Sequence, residues 1–240
     1  MLLDLRRIIK ERILRRWHIP YSPVQNLSAA VYRYAKRRAT LTVVDLGAHT
    51  GAFTNAVTHA TVVKRALLVE PLPYLAASLR TCDRFKGFEV EQCAVGRHQG
   101  NIVLHHFPNA PYVSSVLDLD ISIAGMSEIA RGQPENLVVP MRTLDCLINN
   151  RLGYETIDLL KVDVQGLEND VIAGAGEALA RTEAIYCEVS YRPVYAGSCT
   201  FFDIYSALML KGFKLLDVEP GYRALDGELL QADAFFCKAD

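Results

Sequence analysis

A buried-looking run ends in an acid and then turns through glycines: Val43-Val44-Asp45-Leu46-Gly47-Ala48-His49-Thr50-Gly51. Glycine lets the backbone fold tightly and lets a ligand approach main-chain atoms. A strand, a glycine-bounded turn and a helix start also hold dinucleotides, but there the spacing is G-x-G-x-x-G and the helix faces a pyrophosphate. Here the spacing is D-x-G-x-x-x-G, with an acid where phosphate would be repelled. Such a site suits an amino group or a sulfonium, and S-adenosylmethionine carries both. Glu70 closes the next apolar run, followed by Pro71, where a carboxylate accepts hydrogen bonds from the two ribose hydroxyls of an adenosine ligand. Cys93-Ala94-Val95-Gly96 ends a third run, in the place of an adenine edge. The expected cofactor-binding residues are therefore Asp45, Gly47, Ala48, His49, Gly51, Glu70, Pro71, Cys93 and Ala94, with no metal.

Three further acids are candidates for chemistry on an acceptor. Asp163 ends the apolar run Ile157–Val162 and is the first choice as a base or as a group that orients a hydroxyl. The competing role is to accept N–H bonds from the turn at Gln165–Gly166. Glu168 lies near the following helix start, where the dipole alone favours an acid, so capping and catalysis stand equal. Glu188 sits within an apolar run, where burial penalises a charge without a partner; a polar partner in the site is favoured over a structural ion pair. His49 is either a base or a residue placed by the loop backbone. His105 and His106 alternate along a strand and so face opposite sides. Tyr191, Arg192 and Tyr195 follow the fifth run and either contact an acceptor or are solvated.

These residues need a scaffold of alternating elements, and the pattern supplies one. Leu41–Leu46, Arg65–Val69, Phe88–Ala94, Ile157–Val162 and Ala184–Val189 read as strands. Helical patterns cover Ala52–His59, Pro73 to about Phe85, Thr143–Asn150, Leu167–Ala180 and Phe201–Leu210. Strand–helix alternation implies parallel strands with right-handed crossovers. Strand ends at one edge of such a sheet form the ligand crevice. Phe213–Val218 and Ala232–Lys238 form a closing hairpin with its tight turn at Asp226–Gly227. Residues 97–142 break the rhythm and read as an insertion that selects substrate.

The 240 residues are half apolar and 22% charged, enough for one large α/β domain with a sizeable core. The net charge of −1 hides a division: residues 1–38 hold ten Lys or Arg against two acids, leaving the body at −9. The neutral total argues against a general nucleic-acid binder. No apolar run reaches the roughly 18 residues of a membrane span, and basic residues interrupt any signal-peptide core. Six cysteines without a C-x-x-C pair argue against structural zinc or a disulfide framework, and so for a reducing, cytoplasmic setting. The domain is expected at residues 39–240, behind a helical arm at 1–38. In the arm, Leu2, Leu5, Ile9 and Ile13 share a helical face that Arg6 and Arg16 interrupt. It either lies peripherally on the inner face of an anionic membrane or packs on the acidic body or a second subunit.

The motifs, in order, are Val43–Gly51, Val69-Glu70-Pro71, Cys93–Gly96, Ser114-Ser115, Arg142-Thr143-Leu144-Asp145, Leu160–Glu168, Cys187-Glu188-Val189 and Tyr195-Ala196-Gly197. Together they resemble the FkbM family of S-adenosylmethionine-dependent methyltransferases, over about Leu41 to Lys238. The distinctive piece is Lys161–Glu168 followed by Val171–Ala175; Gln165 stands where many relatives have Glu. The resemblance implies a doubly wound, seven-stranded α/β sheet in order 3-2-1-4-5-7-6, with strand seven antiparallel. It also implies O-methylation of a sugar, glycolipid or polyketide-type hydroxyl. Two other functions share the cofactor loop: a nicotinamide-dependent oxidoreductase and a non-catalytic S-adenosylmethionine-binding protein.

Overall fold

The computed structural model describes residues 27–123, 133–153 and 155–239, together with Ser22, Val24 and Gln25. The proposed amphipathic face of Leu2, Leu5, Ile9 and Ile13 lies outside the described residues. Among the described residues a helix α1 (Ala29–Lys36) comes first, followed by β1 (Thr40–Leu46), α2 (Ala52–Ala60), β2 (Val62–Val69), α3 (Pro73–Thr81) and β3 (Glu89–Glu91). Three strands then depart from the alternation: β4 (Ala94–Val95), β5 (Gly100–His106) and β6 (Glu135–Arg142). The chain continues through α4 (Leu144–Arg151), β7 (Leu159–Val162), α5 (Glu168–Ala173), α6 (Gly176–Ala180), β8 (Ala184–Ser190), α7 (Phe201–Leu210), β9 (Phe213–Pro220) and β10 (Gln231–Lys238).

The main sheet has seven strands in the order β3-β2-β1-β7-β8-β10-β9. Only β10 is reversed, pairing antiparallel with both β8 and β9. Counted within this sheet, the order is the expected 3-2-1-4-5-7-6. β1 is buried along all but its first residue, as a central parallel strand covered on both faces must be. Successive residues alternate between two cores. Leu41 and Val43 pack with Val31 of α1 and Phe53 and Val57 of α2. Val44 and Leu46 pack with Leu144 and Ile148 of α4, Val171 of α5 and Ile204 and Leu208 of α7.

Three elements differ from the sequence reading, each through a long-range contact. The run Phe88–Ala94 is not one strand: Glu89–Glu91 pairs with β2, whereas Ala94 and Val95 pair with Met141 and Arg142 of β6. Residues 97–142 accordingly complete a separate three-stranded sheet, β4-β6-β5. The helix over Leu167–Ala180 breaks between α5 and α6. A Cβ at Gly174 would stand 2.7 Å from the Gly96 carbonyl oxygen, so this turn abuts the chain leaving β4. The helix from Pro73 ends at Thr81, and a separate 3₁₀ turn at Asp83–Phe85 seats the Phe85 ring against Gly51.

Helix α1 is capped by Ser28, whose Oγ accepts the Val31 N–H at 3.0 Å. Glu219 of β9 accepts the Ala29 N–H at 2.8 Å, and Arg33 pairs with Asp217 at 3.0 Å. Tyr34 meets Phe235 edge-on and donates its hydroxyl to the Asp158 carbonyl at 2.6 Å. Tyr34→Ala removes both contacts. It should cost about 3 kcal/mol of unfolding free energy, measured by urea denaturation; a loss below about 0.5 kcal/mol would mean that α1 is peripheral to the folded unit.

Candidate active site

The carboxyl ends of β1, β2 and β7 open into a cavity roofed by β4, β5 and the segment after β5. Of the residues expected to bind a cofactor, Gly47, His49, Glu70, Pro71, Cys93 and Ala94 line it, and Asp163 faces them. Leu72, Val95, Leu104, Val116 and Leu167 supply apolar walls, and Tyr112 and Ser114 come from residues 97–142. Asp45, Ala48, Gly51, Glu168 and Glu188 do not line the cavity.

The loop after β1 explains its own sequence. Gly47 has φ 73°, and a Cβ there would stand 1.8 Å from the Asp163 carbonyl oxygen, so only glycine allows the two strand ends to meet. Gly47 and Ala48 donate to the Val69 carbonyl, and His49 donates its N–H to Glu70 Oε2 at 2.8 Å. Glu70 Oε1 accepts the Leu72 N–H at 3.0 Å. Burial raises the Glu70 pKa against the opposing effect of these two donors. A carboxylate has about four acceptor sites, so each Glu70 oxygen keeps capacity for another donor. His49 has φ 50°, and burial lowers its pKa while the Asp163 charge opposes the shift. Its Nε2 is buried without a hydrogen-bond partner among the described residues. Burial pushes the Cys93 thiol up to about 12, which leaves it an apolar wall.

Beneath the loop lies a buried cation. Lys161 of β7 is the register partner of Asp45 on β1. Its Nζ lies 3.0 Å from Asp163 Oδ2, 3.0 Å from the Gly47 carbonyl oxygen and 3.5 Å from Asp45 Oδ1. Burial would lower the Lys161 pKa, but the Asp163 and Asp45 carboxylates outweigh it and hold the group above its ordinary value. Asp45 is fully buried and takes a second bond from Thr54 Oγ1 of α2 at 2.7 Å. It supports the loop from below.

The acids after β7 and on β8 have separate duties. Glu168 accepts the Val164 N–H at 3.0 Å and the Gly166 N–H at 3.1 Å. The turn that competed for Asp163 is thus satisfied by Glu168, whose contacts brace the turn, while no side chain caps α5. Burial pushes the Glu168 carboxyl up to about 7; backbone donors oppose this, and the Asp163 charge adds to it. Asp163 accepts from Gln165 Nε2 at 2.6 Å. Glu188 accepts from Gln231 at 2.8 Å, and burial followed by the charges of Asp163, Glu168 and Asp233 raises its pKa well above the ordinary range.

Sequence reasoning passed over Lys161 and Gln165 as working residues. The available signal was a lysine inside the apolar run Leu159–Val162, a position that demands counter-charges. Tyr195 is buried rather than solvated, with its hydroxyl on Gln165 Oε1 at 2.6 Å. Arg192 pairs with Glu228 at the surface, and Tyr191 is exposed. Ser114 and Ser115 fasten the roof: Ser114 Oγ accepts the Phe107 N–H, and Ser115 Oγ donates to the Gln165 carbonyl at 2.6 Å. His105 and His106 bond separately, to Asn136 and to Ser114. Among the described residues no group of three or more His, Cys, Asp or Glu side chains has metal-binding geometry, and no helix is long and apolar enough to cross a membrane.

Residues 45–217 match the family model described as the methyltransferase FkbM domain. The 2-O-methyltransferase NoeI of Sinorhizobium fredii is 30% identical over 205 residues, covering 78% of this chain and 77% of NoeI. Methyltransferase sdnD of Sordaria araneosa is 25% identical over 172 residues, 56% of this chain and 60% of sdnD. Among solved structures, TehB from Haemophilus influenzae aligns over 89% of this chain and 63% of its own, at 10% identity and a TM-score of 0.50. A methyltransferase FkbM from Methylobacillus flagellatus aligns over 82% of this chain and 44% of its own, at 13% identity and a TM-score of 0.49.

Two outcomes follow from the electrostatics. Lys161→Met leaves the fully buried Asp45 and the half-buried Asp163 without their cation and should cost about 3–5 kcal/mol in chemical denaturation. Glu168 holds a proton in the native state above its ordinary pKa of 4.5. Its contribution to stability is therefore complete below about pH 4.5 and is lost as the pH rises to about 7. Asp233, raised to about 6 chiefly by burial, acts in the same direction. Urea midpoints measured across this range should fall less steeply in Glu168→Gln than in the parent.

Proposed function

This chain belongs to the FkbM methyltransferase family, and from that premise we propose that it methylates a hydroxyl oxygen of a sugar, glycolipid or polyketide-type acceptor, with Asp163 receiving the hydroxyl proton. S-adenosylmethionine is the cofactor. The cavity suits it chemically. Glu70 retains acceptor capacity for two ribose hydroxyls, Gly47 lets a ligand lie close to backbone, and His49 Nε2 is a buried polar atom still without a partner. Cys93, Ala94 and Leu72 give an apolar wall suited to a purine. Lys161, the cation nearest the loop, is already engaged by two carboxylates and a carbonyl, so it offers little to a phosphate.

The placement of Asp163 carries this reading. Its carboxylate lines the cavity together with Gly47 and Glu70, while Glu168 relieves it of capping the turn. When bound, S-adenosylmethionine would supply an electrophilic methyl carbon for the acceptor oxygen, with S-adenosylhomocysteine as the leaving group. Asp163 orients the acceptor hydroxyl and takes its proton. Lys161 holds one Asp163 oxygen and Gln165 the other, so the carboxylate enters the reaction in a single orientation. The apolar walls keep water from competing for the methyl group. The name of NoeI, a 2-O-methyltransferase, favours oxygen as the receiving atom.

The test uses labelled S-adenosylmethionine and an extract of the source organism, followed by identification of the labelled product. Asp163→Asn should lower the rate by about 10²- to 10⁴-fold while leaving S-adenosylhomocysteine affinity unchanged. Glu70→Ala should weaken that affinity about tenfold by calorimetry. Thermal stabilisation by NAD(H) and none by S-adenosylhomocysteine would instead indicate an oxidoreductase.

A further inference from the structure

Gln165 occupies a place where several constraints meet. Its backbone is left-handed, with φ 57°, and Ser115 Oγ holds its carbonyl at 2.6 Å. Its side-chain Nε2 donates to Asp163 Oδ1 at 2.6 Å and reaches Glu188 Oε2 at 3.5 Å. Its Oε1 accepts the Tyr195 hydroxyl at 2.6 Å. Rotating the amide by half a turn would put its oxygen against the Asp163 and Glu188 carboxylates, so these two acids select one orientation. Tyr195 is 2% exposed, and its hydroxyl also lies 3.3 Å from the Val113 carbonyl.

The surroundings suit a donor without charge. Asp163 at the end of β7, Glu168 of α5, Glu188 of β8 and Asp233 of β10 perturb one another electrostatically. Lys161 is the cation that acts on this group, and His49, lowered by burial, borders Asp163 from the loop after β1. A second cation would compete with Lys161, and a carboxyl here could donate to Asp163 only while it holds a proton. An amide can satisfy one Asp163 oxygen while Lys161 takes the other.

We propose that Gln165 is a positioning residue that holds Asp163 in its working orientation, and that Tyr195 anchors the Gln165 amide through its oxygen. The loop after β8 and the segment at Val113–Ser115 thereby control the acid that meets the acceptor. This rests on the reading of Asp163 given above.

Initial rates with labelled S-adenosylmethionine and source-organism extract, taken from pH 6 to 9, test it. S-adenosylhomocysteine calorimetry on each variant establishes that it is folded and binds. Gln165→Ala should lose about 10- to 100-fold in rate at every pH, with cofactor affinity unchanged. Gln165→Glu can donate the same bond only while protonated, so its rate should be highest at the acid end of the range and fall as rising pH ionises it beside Asp163. Tyr195→Phe keeps the ring packing and should lower the rate without changing affinity. Parent-like rates and pH profiles in both Gln165 variants would overturn the proposal, as would a parent-like Tyr195→Phe for the second half of it. Asp163→Asn, run in parallel, separates the two readings: full activity there removes the role of Asp163 itself.

Discussion

A single ammonium group, drawn below the surface by the pairing of two strands, organises the site. Register places Lys161 beside Asp45, and the side chain then reaches Asp163 and the Gly47 carbonyl. An isolated cation at that depth would cost several kcal/mol, so the two acids are obligatory companions. The ligand loop, the end of β7 and the floor of the cavity therefore become one rigid piece. Neither Asp163 nor Gly47 can shift without disturbing a buried charge.

The same chemical group serves three ends within a short distance because its surroundings differ. Asp163 keeps a face toward the cavity, with one oxygen on Lys161 and the other on Gln165. Glu168 is spent on backbone N–H groups, and Glu188 lies behind Gln165 and Gln231. Acids placed in unlike environments acquire unlike proton affinities, and here burial raises those of Glu168 and Glu188.

Much of this was legible in the chain where residue type alone carries the signal. The apolar runs of β1, β7 and β8, the glycines after β1 and the acid after β2 are recorded in type and spacing, although the partners that fix them, such as Asp163 for Gly47 and His49 for Glu70, are remote. The splitting of the third strand depends on Met141 and Arg142, far along the chain, and the break before α6 depends on the Gly96 carbonyl. Asp45 illustrates the limit. Spacing placed it at the end of a strand by the ligand loop, correctly, but a strand-terminal acid can face a ligand or lie beneath the loop. A lysine on the neighbouring strand decides between the two. Gln165 was visible as a residue type, but its three partners come from separate segments.

The early exit of the chain from β3 also governs how the sheet ends. β3 is three residues long, and its two glutamates are drawn inward to Arg65 and Arg151. At the opposite edge β9 carries Lys214, Asp217 and Glu219 and stops at Pro220, which has no N–H to offer. A stray strand from another copy would find a short, charged border on one side and an alternating, proline-closed one on the other. The molecule can be rich in β-structure and yet give neighbouring chains little on which to grow a larger sheet.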